Sequence, residues 1–111
     1  MTFRELLVNR RQEFSSLCRE YKVKYMYAFG SSSNNKFDKE TSDIDLIVEL
    51  DEPDPVERGE YLMALWDKLE DFFNRKVDLL TEESIHNPYL RKSIESNKIL
   101  IYDRRGSEIL V

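Results

Sequence analysis

The stretch Ser42-Asp43-Ile44-Asp45-Leu46-Ile47-Val48-Glu49-Leu50 has apolar residues at the even positions 44, 46, 48 and 50, with Asp43, Asp45 and Glu49 at odd ones. A period of two predicts a strand over Ile44 to Leu50. One face is fully apolar and must meet a layer of helices. The other carries carboxylates and is not core, so part of the sheet has a wet face where a site can sit. Asp43 and Asp45 point to the same side, with backbones about 6.6 Å apart at two strand rises. Two anions at that separation repel by roughly 2.5 kcal/mol at an effective dielectric near 20. A basic side chain, a divalent cation or a proton held by one Asp offsets this.

Upstream, Val23 to Phe29 predicts a strand that Gly30 stops. Residues 31–42 are polar except for Phe37. Before that strand, Phe3, Leu6, Leu7, Phe14, Leu17, Cys18 and Tyr21 recur at helical spacing, which predicts one helix from about residue 3 to 20. Downstream, Asp54 is a good helix N-cap, Pro55 suits the first helical position and Glu57 sits three residues after the cap. That helix runs to about Asn74, with Tyr61, Leu62, Leu65, Trp66, Leu69, Phe72 and Phe73 facing inward and Asp67, Glu70 and Asp71 on a solvated face. Lys76 to Thr81 is a short third strand, Asn87-Pro88 opens a short helix carrying Leu90 and Ile94, and Ile99 to Tyr102 is a last strand. Tyr25 and Tyr27 alternate in the first strand and are expected to fill core. Strands alternating with helices argue for an α/β or α+β sandwich rather than a bundle.

Composition narrows the function classes. The chain has 111 residues, 41% hydrophobic and 35% charged, which fits a single domain over 1–111. Its one cysteine, Cys18, excludes an internal disulfide framework and a multi-cysteine metal cage, and suits a reducing, cytoplasmic setting. No stretch approaches the ~18 consecutive apolar residues of a membrane span. The formal net charge of −5 argues against extended, unspecific nucleic-acid binding, which needs clustered Lys and Arg. His86, the only histidine, reads as a loop residue before a helix rather than a catalytic one.

The carboxylates carry the chemistry. An Asp-x-Asp pair on a strand is by itself a weak signal, since solvated or Lys-paired aspartates are commoner. Asp78, however, stands among Val77, Leu79 and Leu80, where an Asp is unexpected unless it works or is paired. Three strand-borne carboxylates facing one space form a two-metal phosphoryl-transfer constellation. Asp78 then lies where it can act as general base on an attacking hydroxyl. The turn Gly30-Ser31-Ser32-Ser33 follows directly on a buried strand. Glycine lets backbone approach a ligand closely, and N–H groups with a serine hydroxyl suit an anion. The three features together are far more specific than each alone.

Gly30-Ser31, Ser42-Asp43-Ile44-Asp45-Leu46 and Val77-Asp78-Leu79-Leu80, in this order of elements, resemble the minimal nucleotidyltransferase (MNT) family, the small stand-alone branch of the DNA polymerase beta superfamily. The resemblance covers roughly residues 5 to 103. It implies an α+β fold, a mixed sheet backed by helices on one face with the active site on the open face. It implies that Gly30 and Ser31 hold a nucleotide's phosphates, that Asp43 and Asp45 bind metal, and that Asp78 is the third carboxylate and base. It implies Mg²⁺ as cofactor and ATP as substrate, with AMP moved to a hydroxyl. Small members of the family serve as antitoxins beside a helical HEPN-type toxin, and some adenylylate that partner. The chain departs from the family pattern after Gly-Ser. Ser32-Ser33-Asn34-Asn35-Lys36 contains no arginine, the loop to Asp43 is one residue longer, and Lys36 and Lys39 are the available cations. A second expectation therefore stands beside the first: an interaction protein that neutralises a partner by binding, with weak or no catalysis.

Overall fold

The computed structural model describes residues 3–30 and 43–105. Its elements are α1 (Phe3–Asn9), α2 (Arg11–Glu20), β1 (Val23–Phe29), β2 (Ile44–Leu50), α3 (Pro55–Phe73), β3 (Val77–Leu80), a 3₁₀ turn (Glu82–Ser84), α4 (Pro88–Asn97) and β4 (Ile99–Asp103). They form one sheet in the order β3-β2-β1-β4. β1 is antiparallel to both β2 and β4, and β2 is parallel to β3. Parallel neighbours need a crossover, and α3 supplies it. The fold is the α+β mixed sheet expected.

The alternation in β2 sorts its side chains as read. Ile44, Leu46, Val48 and Leu50 are buried in one core with Val23, Met26 and Ala28 of β1, Val77 and Leu79 of β3, and Leu65, Leu69, Phe72 and Phe73 of α3. α3 starts where its capping residues place it. Asp54 Oδ1 accepts from the Val56 N–H at 2.9 Å, and Pro55 follows the cap. It ends at Asn74, which adopts the left-handed conformation (φ 54°).

The single first helix does not form. The chain breaks at Arg10 (φ −119°, ψ 34°), between α1 and α2. The residue at the break contacts a residue 62 positions away. The Arg10 guanidinium donates to the Phe72 carbonyl at 2.6 Å and stands 4.0 Å from the Phe72 ring centroid. With the break, Phe3 stacks on Phe73 at 5.6 Å and Phe14 meets Phe72 at 5.5 Å. Long-range packing here outweighs a local helix preference.

The second sheet face is only partly covered. Phe29 and Ile47 join Ile85 and Ile94, with Tyr27 and Leu80 against them. Tyr25 and Tyr27 lie on this face, half-buried and edge to face at 5.5 Å, rather than in the main core as expected. The pleat explains the difference: they alternate with Met26 and Ala28, which took the core side. Lys98 Nζ caps the Tyr27 ring at 4.4 Å. Among the described residues no helix is long and apolar enough to cross a membrane.

Candidate active site

The two carboxylates that the sequence placed on separate strands are brought level by the parallel register. Asp45 is the partner of Asp78, one step on from Ile44 and Val77. In register, their side chains leave the sheet on the same side, opposite the buried Leu46 and Leu79. Phe29 is the antiparallel partner of Asp45 on its other flank. Asp43 stands just before β2 and is exposed, whereas Asp45 and Asp78 are half-buried.

Burial first, then the adjacent Asp78 charge, a side-chain hydrogen bond with Asp78 and the Asp43 charge push the Asp45 carboxyl up to about 6. A hydrogen bond between two carboxyls requires that one of them hold the proton, the usual outcome when two acids share a small space. The repulsion foreseen in the sequence is between Asp43 and Asp45, whereas the larger charge effect on Asp45 comes from Asp78 and the Asp43 charge is the smallest of the causes.

Gly30 closes the other side. It ends β1 with φ +63°, and a Cβ added there would stand 2.7 Å from Asp45 Oδ2. Both facts favour glycine: the left-handed conformation is costly for a side chain, and a methyl there would push the Asp45 carboxylate from its place. Gly30→Ala is therefore expected to cost about 1–3 kcal/mol, read as a lower midpoint in urea denaturation. Ser31, the rest of the polar loop 31–42, and Lys36 and Lys39 with it, lie outside the described residues.

A hard divalent cation takes oxygen donors, and Mg²⁺ is commonly held by one or two carboxylates with phosphate and water completing the shell. Asp45 and Asp78 are such a pair. Asp43 is close enough to raise Asp45. Among the described residues no three His, Cys, Asp or Glu form a group that could hold a metal ion, so the three-carboxylate constellation expected from the sequence is not assembled, and Asp45 and Asp78 alone stand level. The donor set thus fits an ion completed by substrate oxygens better than a closed structural metal site.

The other residues singled out by sequence fall away from this centre. His86 is exposed on the loop before α4. Cys18 is fully buried, and burial pushes its thiol up, which makes it an inert core group. Glu70, expected on the solvated face of α3, instead turns to the sheet and accepts the Val77 N–H at 3.0 Å. Trp66, expected in the core, is half-buried, and its indole N–H donates to the Val77 carbonyl at 2.7 Å. Helical spacing marked which side of α3 faces in but not which polar residues at its margin would find backbone partners.

The raised Asp45 has a consequence for stability. Its folded value lies near 6 and its ordinary value near 3.8, so between those pH values the folded chain holds a proton the unfolded chain has lost. Stability from this group is present below about pH 4, falls as pH rises to about 6, and is flat beyond. At full weight the shift corresponds to about 3 kcal/mol. Partial exposure of the carboxyl to water reduces that to about 1–2 kcal/mol. The difference in urea stability between the native chain and Asp45→Asn, followed from pH 4 to 7 in the absence of divalent ions, is expected to show this slope.

A carboxylate pair level on adjacent parallel strands, with Gly30 against one of them at the end of β1, places the chain among small α+β domains with an acidic site on a mixed sheet. The nucleotidyltransferase domain family matches residues 11–101, and the chain belongs to that family. It is 41% identical over 100 residues to a proposed protein adenylyltransferase of Methanocaldococcus jannaschii, covering 90% of this chain and 98% of that one. A second such protein from the same organism is 42% identical with the same coverage. Among solved structures, a proposed minimal nucleotidyltransferase superposes with a TM-score of 0.61 at 28% identity, over 89% of this chain and 95% of the other. A chain of a toxin–antitoxin crystal structure with AMP-PNP also gives 0.61, at 24% identity over 86% and 76%, a likeness of fold.

Proposed function

We propose that this chain moves AMP from ATP to a hydroxyl of a partner protein, and that the partner is a helical HEPN-type toxin for which the chain is the antitoxin. The observation that carries the reading is the register that sets Asp45 beside Asp78 with Gly30 against the Asp45 carboxylate. High identity to proposed protein adenylyltransferases over nearly the full length supports protein as the acceptor. The toxin setting takes its support from fold-level neighbours, which include an MNT antitoxin in complex with a tri-AMPylated HEPN toxin from Shewanella oneidensis. We take residues 1–111 as one nucleotidyltransferase domain, working in the cytoplasm, where a single free thiol is at home.

Asp43, Asp45 and Asp78 would hold Mg²⁺, and Gly30 and Ser31 would meet the triphosphate. The ion, when bound, stabilises charge on the entering and leaving oxygens of the transfer. Asp78 takes the proton of the acceptor hydroxyl. That oxygen then forms its bond to the α-phosphorus, the bond from the α-phosphorus to the bridging oxygen breaks, and pyrophosphate carries off the electron pair. Asp45, with Gly30 on one side and Asp78 on the other, would be held in place as a ligand of that ion.

The test is to incubate the chain and a co-encoded HEPN-type protein with Mg²⁺ and ATP labelled at the α-phosphate or, in parallel, at the γ-phosphate. Label on the partner from the α-position alone is the expected result. Label from neither ends the proposal, and label from the γ-position alone would make the chain a kinase-like enzyme instead.

A further inference from the structure

We infer that Trp66 and Glu70 of α3 are positioning residues for Asp78, holding the edge strand β3 in the one register that brings Asp78 level with Asp45. The inference rests on the nucleotidyltransfer reading and adds two residues to it.

In the parallel ladder the Ile44 N–H donates to the Lys76 carbonyl at 3.1 Å. Ile44 thus directs its own polar groups at β3, and by the alternation of a parallel pair Val77 directs its N–H and C=O the other way, off the edge of the sheet. β3 is the outermost strand on that side. Left to water, those two groups would leave the strand held from one side only, over just four residues.

α3 takes up both. Glu70 Oε2 accepts the Val77 N–H at 3.0 Å, and Trp66 Nε1 donates to the Val77 carbonyl at 2.7 Å. The two side chains are four residues apart and so share one helix face, which spans the strand edge like a clip. Val77 is the residue immediately before Asp78, so the clip grips the backbone one step from the carboxylate. A slip of one residue would send Asp78 into the core, and a slip of two would carry it about 6.6 Å from Asp45. The Glu70 contact is charge-assisted, which makes it the stronger sort of hydrogen bond.

The test compares Trp66→Phe, Glu70→Ala, their combination and Glu70→Gln with Phe14→Leu, a core change in the helical layer. Two readouts are taken: amide hydrogen exchange, and affinity for Mn²⁺ alone by electron paramagnetic resonance. Exchange at Asp78 and Leu80 is expected to speed up tenfold or more in the combination, with Met26 and Val48 within about twofold of the native chain. The Mn²⁺ dissociation constant is expected to rise about tenfold or more, the usual cost of losing groups that orient a ligand. Glu70→Gln keeps an oxygen to accept the Val77 N–H and is expected to restore both readouts to within about threefold. Phe14→Leu lowers stability but leaves Mn²⁺ affinity alone. Unchanged exchange at Asp78 overturns the inference whatever Mn²⁺ does. Faster exchange with native Mn²⁺ affinity reduces the clip to a purely structural role and overturns it too. If the native chain and its Asp43→Asn, Asp45→Asn form bind Mn²⁺ alike, the nucleotidyltransfer reading itself fails, a result separate from either of these.

Discussion

Asp45→Asn is expected to cut adenylyl transfer by a factor of about 10³ or more while making the metal-free protein more stable. Both effects come from one carboxylate. For activity, the substitution removes an anionic oxygen at the centre of the donor set and leaves an amide that is a poor ligand for a hard cation. A bound ion contributes several kcal/mol to a phosphoryl-transfer transition state, and about 4 kcal/mol is a thousandfold in rate. For stability, the same change removes the half-buried acid that Asp78 and Asp43 crowd. Above pH 6 the relief is about 1–2 kcal/mol after allowance for solvent, or several degrees in melting temperature for a domain of this size. Asp67→Asn, on the exposed face of α3, is expected to change neither quantity. The measurement is single-turnover transfer beside thermal denaturation in chelator. A variant that loses activity and stability together would mean Asp45 is a structural residue. One that keeps activity would take the carboxylate out of the site.

Opposite signs for activity and stability mark an arrangement kept for chemistry rather than for folding. Three features gather at this point: two acids level on neighbouring strands, a carboxyl raised toward neutrality, and a glycine in the left-handed conformation against it. Each carries a cost by itself, and on the proposed function a cation bound between them with a triphosphate would turn the repulsion into affinity.

Much of this was legible in the sequence because it is local. The alternation in β2 fixed which residues face the core, and it exposed Asp45 on the wet side. Asp54-Pro55 marked the start of α3 through a capping interaction two residues long. Gly30 ended a strand, where the left-handed conformation favours glycine. The rest was not legible because its causes are distant in the chain. That Asp45 and Asp78 become neighbours depends on the parallel register, which the chain sets through a crossover helix and not through a turn with its own signature. Glu70 read as a solvated acid because helical periodicity describes a face and says nothing of an unpaired N–H on the strand beneath it. Tyr25 and Tyr27 read as core because their residue types suit either sheet face, and only the pleat relative to Met26 and Ala28 decides between them.

The break between α1 and α2 is the largest departure from the periodic pattern, and it makes Phe14 the residue whose truncation should cost most. Phe14 is fully buried and lies 5.5 Å from the Phe72 ring and 6.3 Å from that of Phe73. Phe14→Ala removes a whole ring from the layer between α2 and α3, at about 3–5 kcal/mol. A chain of this length is stabilised by only about 5–15 kcal/mol in total, so the melting temperature is expected to drop by on the order of 15 °C or more. Arg10→Ala removes something smaller, a charge-assisted hydrogen bond to the Phe72 carbonyl, a cation–π contact and an exposed ion pair with Glu13, together about 1–2 kcal/mol. Because Arg10 and Phe14 both rest on Phe72, the two losses should not add. A double-mutant cycle by urea denaturation is expected to show a coupling of about 0.5 kcal/mol or more. Additive losses would mean that Arg10 does not hold the break open, and that the bend between the two helices belongs to the helices themselves.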